Sequence, residues 1–136
     1  MAVSASDQHG EPRLFFKPKE SYYPAVSPDG SQVAYINKLQ GLVVVKRPGG
    51  ELVKNWPLGD ELPYGLVAWH PDGKRLAYCD FGAGSGVWLA DLPSGKVHQV
   101  VGGNAWKPAW SADGKHFLYV IDDDIYVVES EKLPAP

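Results

Sequence analysis

The side chains of this chain that could carry out chemistry are a run of three aspartates, four histidines, one cysteine and a glycine-rich loop around a serine. Asp122, Asp123 and Asp124 have the oxygen atoms that a hard cation such as calcium needs, but calcium takes six or more oxygen ligands. Alternate side chains of a strand hairpin point in opposite directions, so three adjacent carboxylates cannot all reach one ion. The run therefore predicts a solvated turn and no metal site.

The histidines and the cysteine have no spacing typical of a catalytic or metal centre. They lie at His9, His70, His98, His116 and Cys79, scattered along the chain with only one thiol, which gives a zinc site no support. No neighbour of Cys79 would lower the pKa of its thiol, so we expect it to be buried and unreactive. His70 stands where two related turns have serine, and we expect it to cap its turn.

The loop Gly82–Gly86 is similar to two catalytic motifs and satisfies neither. Ser85 has Ala83 and Val87 two residues away, so the glycines of a nucleophile elbow are missing. A dinucleotide fingerprint would need glycine at position 87 and a helix after it. The sequence therefore predicts a hairpin loop here, with no catalytic residue and no cofactor.

The elements that position these residues belong to a repeat. One turn motif occurs at residues 27–30, 70–73 and 111–114, with its aspartates 43 and 41 residues apart, a period typical of propellers and solenoids. Proline presets φ for a turn, aspartate accepts hydrogen bonds from the following backbone, and glycine adopts a positive φ. Each motif therefore predicts a tight β-hairpin. Its structural residues are Pro28, Asp29, Gly30, Pro71, Asp72, Gly73, Asp113 and Gly114.

The residues around each turn have the alternation of β-strands, and both sides of these strands are apolar, which indicates sheets covered on both faces. Third strands are expected at Leu42–Val45, Val87–Ala90 and Ile125–Val128. Fourth strands are expected at Leu52–Trp56 and Val97–Val101. Trp69, Trp88 and Trp110 are predicted to lie in the core, and Trp56 near the outer rim.

The third copy has no fourth strand of its own, but an apolar run, Arg13–Lys17, precedes the first turn in the register that Val97–Val101 has before the third. A last strand supplied from the opposite end of the chain is how β-propellers join their first and last blades. The predicted fold is all-β, with three four-stranded propeller blades. We expect a flexible N-terminal segment at 1–11, the three-blade domain at 12–130 and a C-terminal tail at 131–136.

The segment Pro108–Lys115, with Phe117–Tyr119 after it, resembles the WD-like propeller repeat of TolB and of the N-terminal propellers of prolyl-oligopeptidase-type peptidases. The resemblance covers residues 13–129. The chain departs from the pattern at Val26, where the family has tryptophan, and at Ala112, where it has proline. The resemblance implies no chemistry in the blades themselves. It implies binding of partner proteins, as in TolB-like proteins, or gating of a catalytic domain that this chain lacks.

Three blades are too few for a closed ring, since propellers use about four to eight. A half-ring would expose two apolar blade faces, more than soluble monomers tolerate. We therefore expect a twofold homodimer that forms a six-bladed ring, in which the strand at 13–17 of each chain completes the third blade of the other. The alternative is that the chain is a fragment of a longer propeller.

The loops at one end of such a ring collect the candidate binding residues Tyr22, Tyr23, Tyr64, Trp106, Lys107, Asp122 and Asp124. Aromatic side chains with polar neighbours suit a protein, peptide or carbohydrate ligand, although these residues could equally pack the loops. The expected first strands contain no histidine or carboxylate around Ala25, Ala68 and Ala109, which argues against an enzyme. We therefore predict a non-enzymatic interaction module. A gating propeller, a propeller lyase or lactonase, and a half-propeller without ligand are the alternatives.

Composition excludes several further classes. The chain has 136 residues and a net charge of −3, with no basic excess to bind nucleic acid. No run approaches the roughly 18 apolar residues of a membrane span. Met1–Gly10 lacks the features of a signal peptide, which favours the cytoplasm, while removal of a leader would be compatible with the periplasm. The sequence leaves the partner, the pathway and the compartment open.

Overall fold

The computed structural model describes residues 20–58, 67–80 and 84–134. Within these ranges the chain forms eleven β-strands and one short 3-10 helix, and the strands form three antiparallel sheets. No helix in these ranges is long and apolar enough to span a bilayer. The predicted N-terminal strand at 13–17 lies outside the described residues.

Each sheet is one blade, and its strands are neighbours in the order of the chain. Blade one consists of β1 (Ser21–Val26), β2 (Gln32–Asn37), β3 (Gly41–Lys46) and β4 (Leu52–Trp56). Blade two consists of β5 (Ala68–Trp69), β6 (Arg75–Asp80), β7 (Gly86–Asp91) and β8 (Val97–Gly102). Blade three consists of β9 (Trp106–Trp110), β10 (His116–Ile121) and β11 (Asp124–Glu129). The all-β blades agree with the sequence prediction, including the three-stranded last blade.

The repeated turns have the local chemistry that their sequence predicts. In each, the glycine N–H donates to the carbonyl of the residue that opens the motif, at 2.9 Å, and the glycine has a φ of 72° to 77°. The Ser31 N–H and the Ser27 hydroxyl both donate to Asp29 Oδ1, at 2.9 and 2.8 Å. The Ser31 hydroxyl donates to the same oxygen at 2.7 Å. These three bonds, that of the Ser31 hydroxyl foremost, lower the pKa of Asp29 to about 2. The turn therefore stabilises the charged carboxylate.

The blades stack because each has two apolar faces. We call the two faces of each blade front and back, according to the alternating side chains of its second strand. The front-face residues are Val33 and Tyr35 in β2, Leu76 and Tyr78 in β6, and Phe117 and Tyr119 in β10. The back-face residues are Ala34 and Ile36, Ala77 and Cys79, and Leu118 and Val120. The back face of blade one packs on the front face of blade two, and the back face of blade two on the front face of blade three. One rule therefore describes both interfaces: back face on front face.

The position of Trp56 differs from the prediction. We expected it near the outer rim, but its side chain is only 6% exposed and belongs to the core between blades one and two. Its indole N–H donates to the carbonyl of Gly95 in blade two, at 3.0 Å. The β7–β8 turn of blade two thus gives Trp56 both cover and a hydrogen-bond acceptor. That turn lies 39 residues further along the chain.

The C-terminal segment returns to blade two after β11. The 3-10 helix Ser130–Lys132 follows the strand, and Leu133 packs against the core between blades two and three. His98 Nε2 lies 2.8 Å from the carbonyl oxygen of Pro134. The segment through Pro134 therefore makes defined contacts with β8.

Candidate functional site

The described candidate binding residues lie at one end of the blades. We call it the bulge end, and it consists of the starts of β1 and β9 together with the β2–β3 and β10–β11 turns. We expected Tyr22, Tyr23, Trp106 and Lys107 in loops, but they lie within β1 and β9. Both strands have a register shift at this point, and Tyr23 and Lys107 have φ of 58° and 51°. Each bulge is followed by a proline, which has no N–H to donate to the ladder. The bulge interrupts the regular pairing at this point and lets the strand continue past the proline.

The candidate binding residues in β1 and β9 form two separate pairs, one of two tyrosines and one of a tryptophan with a lysine. The rings of Tyr22 and Tyr23 are 6.3 Å apart between centroids, and Tyr22 is 45% exposed. In β9 the Lys107 ammonium lies over the Trp106 ring, 4.4 Å from its centroid, a cation–π contact. The ring contacts recorded for the described residues stay within each pair. Tyr64 lies outside the described residues.

The acidic run forms the exposed β10–β11 turn and its exit. Asp122 and Asp123 are the turn residues, with φ of 50° and 69°, and Asp124 begins β11 opposite Ile121. All three side chains are exposed. Among the described residues there is no group of three or more histidine, cysteine or acidic side chains that could hold a metal ion.

The opposite end, which carries the repeated turns, holds a histidine that joins two blades. His70 Nδ1 lies 3.0 Å from the Asp72 backbone N–H, from which it accepts a hydrogen bond in the neutral ring, and 3.1 Å from Asp72 Oδ1. Nε2 lies 3.2 Å from the carbonyl oxygen of Gly114 in blade three. The ring also meets Trp110 edge-on, with centroids 4.6 Å apart. His70 thus caps its own turn, as expected, and also holds the turn of the next blade, which the sequence did not predict.

A cleft of about 610 Å³ opens beside this histidine, between blades two and three and the 3-10 helix. Its charged and polar lining is Arg75, Lys115, His116, Glu129, Ser130 and Glu131. The Arg75 guanidinium bonds Asp72 at 3.3 Å and lies 5.5 Å from the Trp110 ring centroid. The cleft therefore has cations and carboxylates side by side, and its arginine is already paired.

The one thiol offers no nucleophile. Cys79 is 3% exposed in the core between blades two and three. Burial raises the pKa of its thiol to about 11, against the opposing effect of a hydrogen bond with the Lys107 backbone. The thiol is therefore protonated near neutral pH, which agrees with the buried and unreactive cysteine that the sequence predicts.

Two blade faces have no blade stacked against them among the described residues. On the front face of blade one, Val33, Tyr35, Val43 and Val45 form a buried cluster to which no described strand of another blade contributes. On the back face of blade three, Ile125 is 74% and Val127 62% exposed. The stack thus ends in a front face on one side and a back face on the other.

Blade three also has an open sheet edge. β11 pairs with β10 on one side, and no described strand pairs with its other side. The equivalent strands β3 and β7 are covered by β4 and β8. An edge that presents unpaired backbone groups next to exposed apolar side chains is a template for another strand.

Comparison with known proteins identifies the class of fold. No protein-family model matches the sequence, and no curated protein matches it. Solved propellers do match the structure. TolB from Acinetobacter baumannii superposes with a TM-score of 0.70 at 19% identity, over 93% of this chain and 34% of TolB. The β-propeller domain of Cps50 (Swd1) from Myceliophteria thermophila superposes with a TM-score of 0.65 at 16% identity, over 86% of this chain and 38% of that domain.

The tricorn protease also matches, with a TM-score of 0.59 at 15% identity, over 73% of this chain and 11% of the protease. The chain thus has a β-propeller blade fold similar to that of TolB and of the Cps50 (Swd1) propeller domain. It spans about a third of the length of the TolB protein that it matches. At these identities the likeness establishes the fold alone.

Proposed function

We propose that this chain is a non-enzymatic propeller module that pairs with a second copy to form a six-bladed ring. The observation that carries the proposal is the back face of blade three, where Ile125 is 74% and Val127 62% exposed and no described blade is stacked. Both internal interfaces join a back face to a front face. A second copy offers this exposed back face the front face that the rule requires, and twofold pairing repeats the same contact in both directions. The front-face cluster of blade one that would meet it is apolar and already buried within one chain.

The ligand in this proposal is a protein, peptide or carbohydrate held at the bulge end. Exposed Tyr22, the Trp106 ring with its Lys107 cation, and the acidic Asp122 and Asp124 offer stacking surfaces and charges of both signs. Pairing of two copies would place these groups around one channel mouth.

The second candidate is a piece of a longer propeller, as an interaction or gating domain. It is favoured by one observation: the chain spans 34% of the TolB protein it matches. Further blades of the same protein would then cover the faces that a second copy covers in the first proposal.

Light scattering decides between these candidates. We expect the wild-type protein at micromolar concentration to have twice the 14.8 kDa mass of the chain. Val127→Asp places a charge in the proposed contact and should weaken self-association at least tenfold, since burying an unpaired charge is costly. Leu39→Asp, at an 86% exposed position in the β2–β3 turn, is the control and should leave the mass unchanged. A wild-type monomer contradicts the homodimer.

A further inference from the structure

The open edge of blade three has a template in the other two blades. Ile125 is the second residue of β11, paired with Val120, and occupies the position of Leu42 in β3 and Val87 in β7. Leu42 pairs with Trp56, and Val87 with Val101. In both covered blades the second residue of the third strand therefore pairs with the last or next-to-last residue of the fourth strand.

We propose that residues 13–17 of a second copy add to β11 as its antiparallel fourth strand, with Lys17 opposite Ile125. This inference rests on the homodimer proposed above and names the segment that completes each half. Lys17 lies 12 residues before Asp29 of the next turn, and Val101 lies 12 residues before Asp113 of its next turn. Lys17 therefore occupies the position in the repeat of Val101, which pairs with the β7 residue equivalent to Ile125. The run Arg13–Lys17 is also apolar in its middle, as a strand beside exposed Ile125 and Val127 must be.

The end of the pairing is determined by a residue that differs between the blades. A Cβ on Gly41 or Gly86 would collide with the carbonyl oxygen of Trp56 or Val101, so these blades need glycine where the fourth strand passes. Blade three has Asp124 at that position. A fourth strand on β11 must therefore leave the sheet after Ile125. Pro18, which has no N–H to donate to a ladder, is the residue at which the proposed strand ends.

Charge supports the same occupant. The open strand has acidic residues at both ends, with the exposed Asp122–Asp124 run before Ile125 and Glu129 after Val128. The proposed strand has Lys17 at the end that would reach the aspartates and Arg13 at the end that would reach Glu129. Antiparallel pairing in this direction brings Lys17 to the aspartates, a modest contribution at an exposed edge. Glu129 already pairs with Lys132 of its own chain at 3.6 Å, so Arg13 would join an existing ion pair.

Disulfide trapping tests the register. Residues directly opposite in antiparallel strands have Cβ atoms about 4.5 to 5.5 Å apart, near the range of a disulfide. We expect Lys17→Cys with Ile125→Cys to give a covalent dimer on non-reducing gels under mild oxidation. Leu14→Cys with Ile125→Cys is the matched control, about 10 Å away along the strand, and should cross-link at least tenfold less. Equal cross-linking of the two pairs would overturn the register.

Mixing the two single variants tests whether the strand comes from the second copy. Lys17→Cys chains mixed with Ile125→Cys chains should form the covalent heterodimer. A cross-linked monomer of the double variant with no heterodimer on mixing would overturn the exchange between copies. If light scattering shows a dimer but neither experiment cross-links, the exchanged strand is wrong while the homodimer stands. If the wild-type protein is a monomer, the homodimer itself is wrong.

Discussion

At the scale of single residues, the repeat uses one position for two different capping groups. Ser27 and Ser111 accept from the backbone N–H groups of Gln32 and His116 through their hydroxyls, both at 3.0 Å. His70 takes the same position in blade two and is long enough to reach Gly114 in the next blade. The substitution therefore converts a local cap into a contact between blades.

His70→Ala should lower the free energy of unfolding by about 1 to 2 kcal/mol, because it removes the bond from the Asp72 N–H, the contact with Gly114 and the packing on Trp110. Urea unfolding at one fixed protein concentration measures the loss. His116→Ala, at an exposed histidine, is the control and should change it by less than about 0.5 kcal/mol. Equal losses in the two variants would show that the link between blades contributes nothing.

At the scale of strands, close approach of neighbouring backbones determines which residues are allowed. Gly86 has a φ of 138°, and a Cβ there would meet the Val101 carbonyl oxygen and would lie 2.9 Å from Gly102 Cα. β7 and β8 thus pair at this point only because position 86 has no side chain. Gly41 has the same role between β3 and β4, with a φ of 85°.

Gly86→Ala should cost about 2 kcal/mol or more, because the new methyl group forces β8 away and the positive φ is strained for alanine. Thermal unfolding followed by circular dichroism measures the effect. Gly102→Ala is the matched control on the partner strand, since a Cβ there would meet only the Gln99 side chain, at 3.8 Å or more. A loss for Gly102→Ala as large as that for Gly86→Ala would contradict this explanation.

The sequence predicted what depends on local chemistry and missed what depends on the next blade. Proline, aspartate and glycine at Pro28–Gly30 determine a turn by themselves, and the alternation after it determines a strand, so the blades and most strand ends were predictable. Trp56 was placed wrongly because it packs in the core between blades one and two and donates to Gly95, 39 residues further along the chain. The length of β1 was missed because a proline indicates a strand end, whereas the bulge at Tyr23 lets the strand continue.

At the scale of the whole molecule, the proposed binding face depends on assembly. Each chain contributes one tyrosine pair in β1 and one Trp106–Lys107 pair in β9. Among the described residues, the rings of one pair do not contact those of the other. Two chains would bring four such pairs to one ring. A ligand that spans more than one pair gains affinity from their fixed arrangement.

A peptide or glycan that binds the wild-type protein in a screen should therefore bind Val127→Asp at least tenfold more weakly, although every bulge-end residue is intact. Titration calorimetry measures this, with light scattering to show that the variant is monomeric and circular dichroism to show that it is folded. Lys74→Ala, at an exposed position beside the repeated turn at the opposite end of the blades, is the control and should bind as the wild type does. Undiminished binding to the monomeric variant would place the whole site within one chain.

The back-on-front packing gives the stack a direction. Every joint is heterologous, so nothing in the joint itself limits how many blades can follow one another. In the proposed ring each blade would add about a sixth of a circle, so that the second copy would return to the first, whereas a smaller or larger turn would leave an open spiral. A substitution that tilts one blade would therefore change the number of copies in the assembly, and could convert a closed particle into a fibre.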